Sequence, residues 1–217
     1  MVIYKPRWKE VYAKANEFLV LSRVINAFPF STTKFIKELA DISFCSFSDA
    51  RKKGIEPTNY GSDSAFLSRL NGRHIIFFND EHVRYRIQFS LLHEFAHFIL
   101  NHDYATKDGE LYGIQEAEAN YFAAQILMPE QILRELASRE LCIDSNFIMD
   151  HFVVSEEAAI KRIDTLNKIR DFSRSRKEVE YDDIILMKYS SFIDEIKRPI
   201  LTFEYEWEKQ QERDNWF

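Results

Sequence analysis

The chain has 217 residues, 46% of them hydrophobic, which is enough for one full-sized core and too few for two ordinary enzyme domains. Aromatics make up 15%, with 19 Phe, so a disordered or low-complexity chain is excluded. A formal net charge of -6 argues against general affinity for nucleic acid, which comes from neutralising many phosphates at once.

Cys45 and Cys142 match no CxxC or disulfide framework, pointing to a reducing compartment. The N-terminal MVIYKPRWKEVYAKANEF is charged throughout and lacks the apolar stretch of a signal peptide. No run of about 18 apolar residues occurs, so a cytoplasmic protein without a membrane span is expected.

In chain order, apolar residues at helical spacing predict an opening helix over 8–25, from Trp8 through Val11, Ala15 and Phe18 to Ile25. A shorter helix follows through Phe35, Ile36, Leu39 and Ala40, then a polar region over 46–61 that carries no functional signal. The apolar RHIIFFN, 73–79, reads as a buried or half-buried strand. A long helix with an apolar girth is expected over 84–102 and contains HEFAH. The turn-rich DYATKDGELYG, 103–113, leads to a helix over 115–128 that Pro129 stops. Helical segments are expected over 131–139 and 145–152, then one from Ser155 to about Leu166, where SEE supplies an N-cap and acids for the first turn.

The character then changes. SRSRKE, 173–178, reads as a polar linker, and YDDIILMKYSSFIDEI as one helix closed before Pro199. Beyond it Leu201, Phe203, Tyr205 and Trp207 alternate with polar residues at the period of a strand. The organisation expected is a main domain over 1–170 and a C-terminal extension over 171–217 whose role the sequence does not reveal.

HEFAH carries the chemistry. Residues four apart on a helix share a face with Cβ atoms about 5 to 6 Å apart, so His93 and His97 can direct imidazole nitrogens at one metal ion. Glu94 is rotated about 100° from His93, near enough to reach a metal-bound water as general base. Burying two histidines and a carboxylate in an apolar helix is costly without partners, and a metal supplies one for both rings. The bland reading is a surface turn of a structural helix.

A catalytic zinc needs a third protein ligand. Asp103 stands where a chain turning sharply at a Gly would place one, but position 100 is Leu. His102, five residues after His97, is rotated away on a continued helix and is expected to cap or flank its end. Glu116 and Asn120 share a face of the next helix, so Glu116 is the preferred third ligand and Asn120 the residue orienting an imidazole from outside. Glu118 remains the alternative. An oxyanion-stabilising donor is sought among Tyr104, Tyr112, Tyr121 and His151 without a choice, and the strand over His74 to Phe78 is expected to align an extended substrate. The segments over 147–166 also suit a DNA-reading helix-turn-helix, but Glu156 and Glu157 put negative charge where phosphates would lie.

HEFAHFILNH, EAEANYFAAQILMP and FVVSEEAAIKRIDTL, with the preceding GRHIIFFND, resemble the successive signatures of the ImmA/IrrE family of intracellular metallopeptidases. The resemblance covers about 72–166. It implies an α+β fold: a mostly helical, zincin-like domain with a small sheet beside the HExxH helix. It also implies a gluzincin-like site, with Zn2+ held by His93, His97 and the Glu116 position while Glu94 activates water. The biological role it implies is cleavage of a helix-turn-helix repressor of the Xre type, relieving repression of mobile-element or stress genes. The competing expectation is a regulatory metal-binding protein, a prophage or toxin-antitoxin accessory component, that controls its partner without cutting it.

Overall fold

The computed structural model of the chain describes residues 5–60, 62–102, 109–168 and 174–196. Helices dominate, and one small mixed sheet stands beside them, an α+β architecture. The elements are α1 (Trp8–Leu21), α2 (Thr32–Leu39), β1 (Ile42–Ser46), α3 (Phe47–Lys52), β2 (Ala65–Leu70), β3 (Arg73–Phe78), α4 (Arg84–Ile99) and α5 (Gly109–Leu127). They continue as α6 (Glu130–Ser138), α7 (Ser145–Phe152), α8 (Glu156–Lys168), α9 (Arg176–Lys188) and α10 (Ser190–Glu195).

The sheet order is β1-β3-β2, with β1 parallel and β2 antiparallel to β3. Asn71 and Gly72 join β2 to β3, both at positive φ (51° and 80°), the backbone that a tight two-residue hairpin demands. One face of the sheet, through Ile42, Ala65 and Ile76, enters the main core. The other stacks Phe66 on its cross-strand partner Phe77, ring centroids 4.9 Å apart, and closes on Phe47 and Ala50 of α3. Because both faces are covered, apolar residues follow one another without the strict alternation of a one-sided sheet. β3 is flanked on both sides, so the expectation that it aligns a substrate by strand addition is corrected: neither of its edges is open.

α4 and α5 form the centre. Leu92, Phe95 and Ala96 of α4 and Ala119, Phe122 and Ala123 of α5 are all fully buried, and the alanines let the two backbones approach. α1 covers this pair, with Phe18 against Phe95 and Phe122 at 5.9 and 6.1 Å. α5 starts at Gly109, several residues before the expected 115, so ELYG is helix and not turn. Its first turn holds Glu110, where an acid favours the helix dipole.

SRSRKE, expected as a linker, contains a capping box: the Ser175 side chain and Glu178 satisfy each other's backbone N–H groups and open α9. The single helix expected beyond it breaks at Tyr189 into α9 and α10. Lys188 Nζ and Tyr189 Oη donate to Leu19 O at 2.6 and 3.0 Å, satisfying a carbonyl at the end of α1. The strand expected over 201–208 lies outside the described residues, as do Asp103 and Tyr104.

Candidate metal centre

His93 and His97 stand one turn apart in the C-terminal half of α4, with Glu94 next to His93, where the helix is held from both sides by the sheet and α5. The two imidazoles meet edge to face, with Nε2 of His93 and Nε2 of His97 3.0 Å apart. Glu116 of α5 brings Oε2 to 3.3 Å from His93 Nε2 and Oε1 to 3.3 Å from His97 Nε2. Neighbouring ligands on a tetrahedral zinc about 2.0 Å from each would be roughly 3.3 Å apart. The three groups therefore have the spacing and chemistry to share one such ion, and His93, His97 and Glu116 are the cluster with that property among the described residues.

The far ring nitrogens are engaged from behind. Asn120 Oδ1, one turn beyond Glu116, lies 3.0 Å from His93 Nδ1, so it accepts a hydrogen there and leaves the Nε2 lone pair facing the cluster. Nδ1 of His97 lies 2.8 Å from Nδ1 of His102. The adjacent imidazoles of His93 and His97 hold the Glu116 carboxyl far below the usual carboxylate range. Burial opposes a charge on His93, but Glu116, Glu94 and Asn120 outweigh it and raise its pKa.

Glu94 stands beside the cluster. Its Oε2 accepts the Leu67 N–H at 2.9 Å. Burial pushes its carboxyl above the usual value, although both histidines and that N–H pull the other way. In the β2/β3 ladder Ser64 O accepts from Asn79 N–H, so even-numbered β2 residues bond β3 and odd-numbered ones direct N–H and C=O outward. Leu67 thus belongs to the outer edge of β2, and that edge borders the site.

Glu118 is turned away from the ring pair: it is 1% exposed against 31% for Glu116, and it binds Arg7 and His102. His102 does not lie on a continued helix. α4 ends at Ile99, Asn101 adopts a left-handed φ of 52°, and His102 N–H returns to His97 O at 3.0 Å. His102 thus flanks the helix end as expected, but its ring is buried beneath His97 and not turned away from the pair. The readable signal was Asn101, a residue that favours such a helix stop. The roles of Arg7 and Leu67 left no local signal, because each depends on a contact far along the chain.

Among the oxyanion candidates, Tyr112 precedes Glu116 by four residues and shares its face of α5. Tyr121 packs edge-on to Trp8 at 5.5 Å. His151 stacks on Phe147 with Nδ1 2.9 Å from Phe147 O, a local arrangement within α7.

No helix among the described residues is long and apolar enough to cross a membrane. No curated protein sequence matches the chain. The profile of the IrrE N-terminal-like domain, peptidase M78, matches residues 50–164, a span that holds the sheet's hairpin and every residue of the cluster.

Proposed function

Since the chain belongs to the peptidase M78 family of IrrE N-terminal-like domains, a metallopeptidase family, we propose that it is a zinc-dependent endopeptidase cutting a protein substrate. The observation that carries this reading is the convergence of His93 Nε2, His97 Nε2 and the Glu116 carboxylate within 3.0 to 3.3 Å, with Glu94 alongside. Two imidazoles and a carboxylate suit zinc in a catalytic setting.

Bound zinc would supply Lewis acidity, making water acidic near neutral pH and polarising the scissile carbonyl. Glu94 is the proton carrier. The Leu67 N–H holds its Oε2, so Oε1 takes the proton of the attacking water and later delivers it to the leaving nitrogen. The raised pKa of Glu94 suits both transfers, because its acid form survives closer to neutrality. Asn120 and Glu116 keep the two rings aimed, and an extended substrate is aligned by the outer edge of β2.

The substrate is a helix-turn-helix repressor of the Xre type, a reading supported by the resemblance of HEFAHFILNH and EAEANYFAAQILMP to ImmA/IrrE proteins. Such a substrate puts the reaction in the cytoplasm. The test is incubation of the zinc-loaded chain with a purified Xre-type helix-turn-helix repressor from the same genome, followed by mass spectrometry. A single new pair of termini is expected, absent with Glu94→Gln. A Glu94→Gln chain that keeps its zinc and still inactivates the repressor would overturn the peptidase reading in favour of action by binding alone.

A further inference from the structure

Behind the cluster runs a line of polar groups that peptide hydrolysis does not require. His97 Nδ1 meets His102 Nδ1 at 2.8 Å, and His102 Nε2 meets Glu118 Oε2 at 3.0 Å. Glu118 in turn accepts from Arg7 through the backbone N–H at 2.5 Å and Nη2 at 2.9 Å. Both His102 and Glu118 are almost fully buried. Arg7 is the N-cap residue of α1 and lies outside the span matched by the family profile. It also donates to Leu100 O at 3.3 Å, so one side chain joins the start of α1, the end of α4 and the middle of α5.

With both imidazoles neutral, the hydrogens along this line have one consistent arrangement. A carboxylate only accepts, so His102 carries its hydrogen on Nε2 and presents a lone pair at Nδ1. His97 must then donate from Nδ1, and its lone pair is left on Nε2, the atom facing His93 and Glu116. The reverse arrangement would put a hydrogen on His97 Nε2, pointing into the space between the three candidate ligands. A salt-bridged carboxylate at one end thus dictates which nitrogen is available at the other.

We propose that Arg7, Glu118 and His102 are positioning residues that lock His97 in its Nδ1–H tautomer, so that docking of the N-terminal segment sets the affinity of the metal centre. The identity of the ion rests on the metallopeptidase reading; the tautomer lock does not. If these groups merely stapled the end of α4, their loss would lower stability without moving the hydrogen on His97.

The test uses the full-length, 15N-labelled chain. Long-range 1H–15N correlation spectra of the metal-free protein report which ring nitrogen bears hydrogen, and competition titration with Zn2+ reports affinity. Wild type is expected to show His97 as Nδ1–H and His102 as Nε2–H. His102→Phe keeps a ring but no acceptor; His97 should then populate both tautomers, and zinc should bind about 10 to 100 times more weakly. Arg7→Ala should give a smaller loss in the same direction. Glu118→Gln, which offers His102 either an oxygen or an NH2, should release the lock even if His102→Phe does not fold.

Wild-type His97 found as Nε2–H overturns the proposal, as does a folded His102→Phe or Glu118→Gln chain with unchanged tautomers and zinc affinity. A wild-type chain that takes up no zinc overturns the metallopeptidase reading instead, and the spectra still decide the tautomer.

Discussion

Burial raises the Glu94 carboxyl above its ordinary 4.5, and Glu116 with its neighbours raises His93 above its ordinary 6.5 despite burial. Each folded group therefore holds its proton to higher pH than its unfolded counterpart. Stability from this source is present below the unfolded value and lost as pH rises through the folded one. Glu116 runs the other way: its carboxyl is depressed, so its contribution is present above 4.5 and lost as pH falls through the folded value. Zinc needs His93 without a proton, so its binding strengthens as pH rises. Above pH 6.5 the metal-free chain should lose stability while the increment given by zinc grows; urea unfolding across a pH series, with and without zinc, measures both. An increment that does not change with pH would mean that His93 carries no competing proton. At the same scale, Glu94→Gln should lower kcat about 100- to 10,000-fold with zinc stoichiometry intact, checked by steady-state kinetics and metal analysis. Loss of zinc together with activity would make Glu94 a ligand.

Elements separate what the sequence disclosed from what it hid. α4 was legible because Leu91, Leu92, Phe95 and Ala96 repeat at helical spacing, and α5 because Pro129 ends it and Ala119, Phe122 and Ala123 mark its buried side. Hence spacing alone could place His93 and His97 on one face and pair Glu116 with Asn120 on another, but it left Glu118 open because it does not tell which face of α5 meets α4. β1 and β2 escaped because a sheet covered on both faces shows no alternation, and because Ser68, Arg69 and Leu70 run outward from its covered part. The Asn71-Gly72 pair does announce a hairpin, and it ties β2, with Leu67, to the strand that was recognised. Gly72 has φ +80°, where a β-branched side chain is strained by roughly 1 to 2 kcal/mol. Gly72→Val should lower stability by about that amount and weaken peptide cleavage through the displaced Leu67–Glu94 contact, without changing zinc affinity. Urea unfolding, kcat/KM and zinc titration on one preparation would show this, and an unaffected kcat/KM would separate the β2 edge from catalysis.

Over the whole molecule, the deciding question is whether α9 and α10 stand apart from the metal centre or share its cooperative unit. Tyr189 and Phe192 pack on Phe28 at 5.4 and 5.3 Å, Phe192 reaches Phe152 at 5.7 Å, and Phe28 continues through Phe30 and Phe35 to Phe95 of α4. These rings form one buried cluster that runs from α10 to the helix bearing HEFAH. Truncating Phe192 to Ala should therefore cost about 3 to 5 kcal/mol. In a single cooperative unit, zinc at roughly 1,000 times its dissociation constant returns about 4.1 kcal/mol to the variant as to the wild type, because metal and aromatic cluster stabilise the same folded state. Urea unfolding followed both by tryptophan fluorescence and by zinc release should then give coincident transitions, displaced together by Phe192→Ala. Were residues 171–217 a separable extension, the variant would unfold in two steps, and zinc would move only the one that dissolves the metal centre.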